Sequence, residues 1–76
     1  MEDELRQIIA KIAETSADFS ADADLREDLD VDSHRAVELV FEIERVFDIK
    51  IQVTRFDELR TLKKAVALVT SLKDAR

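Results

Sequence analysis

Leu5, Ile8, Ile9 and Ile12 stand at i, i+3, i+4 and i+7, and this helical period dominates the chain. It predicts an amphipathic helix over residues 2–15 and a second over 33–47. A short third helix is expected over 54–59, where Thr54 and Asp57 are spaced like a capping box. The last begins near Thr61 as N-cap, with Leu62, Ala65, Val66, Val69 and Leu72 as its buried stripe. Lys73 and Arg76 suit the negative end of its dipole. The stretch between the first two helices is too long for a tight turn, so Phe19, Leu25, Leu29 and Val31 must pin it. The expected fold is all-α: a small four-helix bundle with a long loop between helices 1 and 2 and a short third helix. One domain spans 1–76.

Size makes such packing necessary. A fold of about 60 residues buries only roughly 60% of the surface its unfolded chain exposes, and this chain has 76 residues. Disulfides and thiolate-bound zinc are excluded because there is no cysteine. Well-packed helices remain. The hydrophobic content of 46% is that of a globular protein, so the 39% of charged residues does not signify disorder.

The charge is unevenly spread. Residues 18–32 hold seven acids against one base, within a net charge of -6, whereas residues 54–76 are net basic. That balance argues against nucleic acid, which needs a basic footprint, and against an anionic membrane surface. Apolar runs are too short to span a bilayer, so no stable membrane association is expected. The acidic opening of Glu2, Asp3 and Glu4 is the opposite of a targeting leader, and a cytoplasmic monomer is expected. With one histidine and no cysteine there is little from which to build an active site. An enzyme is not expected, and no catalytic residue is assigned.

Helix 2 carries the most information. Val37, Leu39, Val40, Ile43, Val46 and Phe47 make a broad arc expected to be buried. His34, Arg35, Glu38, Glu42 and Arg45 occupy the opposite side. Phe41 lies at the margin, and two readings stay open: a contact for a partner, or a side chain tucked into the core.

Asp28-x-Asp30-x-Asp32 has the spacing of a calcium loop. Such a loop needs Gly at its sixth position and Glu at its twelfth; Ser33 and Leu39 stand there instead. No metal site is therefore assigned. Ser33 and His34 are adjacent, but neighbours at a helix start point apart and no orienting third group is evident. Asp32-Ser33 serves as a helix start in its plainest reading. The long acidic loop before it adds a second reading, in which the Ser33 hydroxyl lies beside free N–H groups where a phosphate ester meets the positive end of the helix dipole.

The stretch from Leu29 to Ile51, LDVDSHRAVELVFEIERVFDIKI, resembles the segment around the modified serine of acyl carrier proteins. The matching residues are Asp32-Ser33, Val37-Glu38-Leu39-Val40, Phe47-Asp48 and Ile51, and the length and helix order agree across nearly the whole chain. The resemblance implies that Ser33 receives 4'-phosphopantetheine from a phosphopantetheinyl transferase, with Asp32 next to the magnesium and phosphate during modification. It also implies that Glu38 is one of the acidic contacts for partner enzymes.

This chain departs from the family pattern in three ways. Asp30 stands where a glycine is usual, and aspartate tolerates left-handed geometry better than most residues. His34 replaces an apolar residue, and Arg35 and Arg45 replace acids. All but the first of these changes alter the face that partners read, here His34, Arg35, Glu38, Phe41 and Arg45, and they point to a specialised member with a dedicated loading enzyme. The plainer reading of His34 is an exposed residue paired with Glu38 at i+4.

The expected function is a carrier of acyl thioesters for lipid, fatty-acid or polyketide-type biosynthesis. Its partners would be the transferase, an acyl- or aminoacyl-loading ligase and acyl-using enzymes. One alternative is an aminoacyl or short polar acyl carrier loaded by an adenylating ligase. Another, of a different class, is a small helical interaction module without a cofactor. A calcium-binding module is a distant third.

Overall fold

A computed structural model describes residues 1–74. Its elements run α1 (Glu2–Ala13), α2 (Ser33–Phe47), the 3₁₀ helix η1 (Val53–Glu58) and α3 (Leu62–Asp74). The all-helical class is as expected. α1 packs on α2 and α3, and η1 packs on α3. One core joins them, with Leu5, Ile9, Leu39, Ile43, Leu62 and Val69 fully buried.

α1 ends at Ala13, two residues earlier than the pattern predicts, because Glu14 turns left-handed at φ 55°. Asp30 at 59° and Asp48 at 54° do the same. A chain without glycine places acids at these positions. Aspartate's short polar side chain makes this conformation less costly there than for most residues.

The loop over 18–32 is held at several points. Leu25 and Val31 are buried, and Phe19 and Leu29 are half-buried against the core. Arg6 donates to the carbonyls of Ala17 and Phe19 and lies 4.8 Å above the Phe19 ring centroid. The Leu25 N–H donates to the Arg60 carbonyl at 2.8 Å, and the Lys63 N–H to the Ala21 carbonyl at 3.1 Å. The loop is thus stitched to the start of α3.

Several expectations need correction. In α2, Leu39, Val40, Ile43 and Phe47 are buried, but Val37 is 42% and Val46 40% exposed. The core covers a narrower arc than the apolar pattern, and the α2 flank facing η1 is left partly open. The Thr54–Asp57 capping box does not form. η1 is a 3₁₀ turn starting after Gln52, whose carbonyl takes the Arg55 N–H at 2.8 Å, with no side-chain cap. Thr61 does cap α3, its Oγ1 accepting the Lys64 N–H at 3.0 Å. In α3, Leu68 joins the buried stripe, while Val66 and Leu72 are only half-buried. Lys73 reaches across to the end of a different helix, donating to the Phe47 carbonyl of α2 at 3.1 Å. Arg76 lies outside the described residues.

Candidate functional site

The site is built around the first turn of α2. Asp32 is its N-cap, with extended backbone, and its Oδ1 accepts the Arg35 N–H at 2.9 Å. The Ala36 N–H closes the first helical turn on the Asp32 carbonyl at 2.8 Å. Among the described residues, the N–H groups of Ser33 and His34 have no acceptor. They face outward at the positive end of the helix dipole. Ser33 is exposed at the first helical position.

Asp30 prepares this turn. Its left-handed backbone bends the chain just before Val31, whose N–H returns to the Leu25 carbonyl at 2.9 Å. Val31 is buried, and Asp32 and Ser33 emerge at the surface immediately after it. A residue able to turn left-handed is therefore needed two positions before Asp32.

Beneath Ser33 lies a cavity of about 540 Å³. Its apolar lining includes Val31, Ala36, Val37, Leu39, Val40 and Phe56, and its rim includes Arg26, Thr54, Asp57 and Arg60. The half-exposed Val37 lines this groove, which explains why its expected burial fails. Helical periodicity misses the groove because it scores α2 against a continuous core. The short-helix pattern over 54–59 anticipates η1 but does not show that Val53, Thr54 and Phe56 wall a groove.

The expected partner face divides. Phe41 is 64% exposed, which removes the core reading. His34 Nε2 and Glu38 Oε1 lie 2.9 Å apart at i+4 on the exposed side of α2. Arg35 is half-buried and holds Glu14 at 2.8 Å, so much of its charge is spent on tying α2 to the end of α1. Arg45 turns back to Glu42 at 2.8 Å, and Lys11 of α1 lies 3.8 Å from the same carboxylate. The Arg45 hydrogen bond is the main reason that the Glu42 carboxyl is held below its usual range. Glu42, expected on the solvent side, is half-buried.

Two of the three acids of the supposed calcium loop turn to backbone groups. Asp28 Oδ2 accepts the Asp24 N–H at 2.8 Å, and Asp32 caps α2. Among the described residues, no group of three or more acids and histidines is placed to hold a metal ion. No described helix is long and apolar enough to cross a membrane.

A family described as a phosphopantetheine attachment site matches residues 3–69, and the chain belongs to it. It is 39% identical over 59 residues to an acyl carrier protein of Amoebophilus asiaticus, covering 78% of this chain and 74% of that protein. It is 32% identical over 76 residues to polyketide-8 synthase acyl carrier protein 2 of Streptomyces avermitilis, covering 97% and 87%. An acyl carrier protein of Rubrobacter xylanophilus is 32% identical over 77 residues, covering 91% and 95%. The chain is a phosphopantetheine-bearing carrier and not an enzyme. The family works with a phosphopantetheinyl transferase and acyl-processing enzymes. The first turn of α2 fits the group: it offers an exposed hydroxyl, two N–H groups without acceptors and an adjoining apolar groove.

Proposed function

We propose that Ser33 is the attachment residue and that the groove beside it shelters an apolar acyl chain. When bound, 4'-phosphopantetheine supplies a terminal thiol that holds acyl groups as thioesters. Asp32 fixes the first turn and would help hold the magnesium and phosphate during modification. His34, Glu38 and Phe41 form the face that the transferase and acyl-using enzymes contact, with Arg35 and Arg45 at its edge.

The observation that carries this reading is the groove, which lies within the range of about 300–1,000 Å³ usual for ligand pockets and is lined by Ser33 and apolar residues of α2 and η1. It favours lipid, fatty-acid or polyketide-type cargo over an aminoacyl or short polar group. In this reading the carrier works as a cytoplasmic monomer.

The test is the intact mass after co-expression with a broad-specificity phosphopantetheinyl transferase, followed by loading with alkyl chains of graded length. A gain of one phosphopantetheine, abolished by Ser33→Ala, is expected. A fatty-acyl load is expected to raise the melting temperature and protect α2 amides from exchange. An unchanged mass under conditions that modify a control carrier defeats the attachment reading. Absence of stabilisation by any alkyl chain leaves the aminoacyl carrier loaded by an adenylating ligase.

A further inference from the structure

We infer that Arg26 is the cation that holds the phosphodiester joining Ser33 to its arm, an assignment that rests on Ser33 being the attachment residue. Arg26 is the one base among the seven acids of residues 18–32. Arg6, Arg35, Arg45, Arg55 and Arg60 each hold a carboxylate or carbonyl. Among the described residues, the Arg26 guanidinium holds none.

Three nearby carboxylates, those of Asp24, Asp28 and Asp32, are turned elsewhere. Asp24 Oδ1 accepts the N–H groups of Arg26 and Glu27 at 2.9 Å, and its Oδ2 takes Arg60 at 2.7 Å. Asp28 and Asp32 accept the N–H groups of Asp24 and Arg35. An arginine in the most acidic part of the chain is thereby left with its donors unspent.

Its backbone is held in place on the Ser33 side of the loop. The buried Leu25 is bonded to Arg60 on one side and to Val31 on the other. That second bond, 2.9 Å from the Val31 N–H to the Leu25 carbonyl, closes the loop so that Arg26 flanks the strip leading to Ser33. Arg26 and Ser33 line the same groove.

A phosphodiester on Ser33 would carry a negative charge among loop carboxylates that repel it. The N–H groups of Ser33 and His34 offset part of that repulsion. A guanidinium adds charge-assisted hydrogen bonds to two phosphate oxygens at once. Held there, the first segment of the arm lies along the groove mouth instead of pointing into solvent.

The experiment compares apo and modified protein by NMR, following the Arg26 Nε–Hε signal and the ³¹P line. Conversion is expected to shift the Arg26 signal. Arg26→Gln is expected to narrow the ³¹P line as the phosphodiester moves more freely, and Arg26→Lys to restore part of its width. No mass gain on the wild type overturns both the attachment reading and this one. A mass gain with an unmoved Arg26 signal, or with the same ³¹P line in Arg26→Gln, overturns the Arg26 assignment alone. A shift seen only after loading an acyl group that ends in a carboxylate puts the contact on the cargo and also overturns it. The Arg26 signal is read on the unaltered sequence, so the result does not depend on a variant folding.

Discussion

Asp24 and Arg60, 36 residues apart, meet at 2.7 Å beside a second link from the Leu25 N–H to the Arg60 carbonyl at 2.8 Å. Together they clasp the acidic loop to the start of α3. The Asp24 carboxyl is held below its usual range, first by the Glu27 N–H and then by Arg60. Arg45 lowers Glu42, and Arg55 lowers Glu58, in the same way.

Carboxyls lowered by folding stabilise the native state above their unfolded pKa values, and that contribution is lost as pH falls through the folded ones. The melting temperature should therefore hold from neutral pH down to the ordinary carboxylate range and drop below it. Asp24→Asn should lower it at neutral pH and soften the acid fall. A melting temperature that rises on acidification contradicts this account.

Asp32 separates helix capping from chemistry. Asp32→Ala should cost about 1 kcal/mol in urea unfolding, since it removes the acceptor of the Arg35 N–H. Asp32→Asn should keep most of that stability and still slow phosphopantetheine transfer. Equal transfer rates for wild type and Asp32→Asn would show that Asp32 acts only as a cap.

Asp30 tests the left-handed turn before the site. With φ at 59°, Asp30→Val should lose roughly 1–2 kcal/mol. Asp30→Gly should be at least as stable as the parent chain. Urea midpoints of the three proteins decide it, and a stable valine variant would mean the turn relaxes at no cost.

Leu39 and Val37, two residues apart on α2, should respond unequally to truncation. Leu39 is 1% exposed, and Leu39→Ala should cost about 2–5 kcal/mol. That is a large share of what a domain of this size has available. Val37→Ala should stay within about 0.5 kcal/mol, yet weaken the stabilisation by an alkyl load because Val37 lines the groove. Equal losses of unfolding free energy would show that the groove is closed in solution.

Phe41→Ala should leave the melting temperature unchanged, because Phe41 packs little against the core. Transfer of the arm, or loading, should slow through a raised KM. Unaltered kinetics with every partner tested would remove Phe41 from the docking face.

The helices were legible in sequence because each depends on local facts. Apolar spacing set α2 over Ser33–Phe47, and Thr61 signalled the start of α3. Asp32-Ser33 was legible as a helix start, and the flanking pattern suggested what that start is for. Asp30 was also readable, since a glycine position occupied by aspartate signals left-handed backbone, and φ there is positive.

Periodicity could not say which apolar residues find a covering neighbour. Val37 and Leu39 are equally apolar and both line the groove bounded by η1, but Leu39 is buried in the core and Val37 is half-exposed. Charge pairing was likewise decided in three dimensions. Arg35 is bound to Glu14, 21 residues away, and Lys73 caps α2 instead of its own helix. Arg26 gave no local signal, because its significance depends on neighbouring carboxylates being turned to backbone N–H groups. Local backbone preference and apolar spacing are properties of short segments, so the sequence alone determined the helices and the site's first turn. Burial, long-range ion pairs and the groove depend on segments distant in the chain, and only their packing decided them.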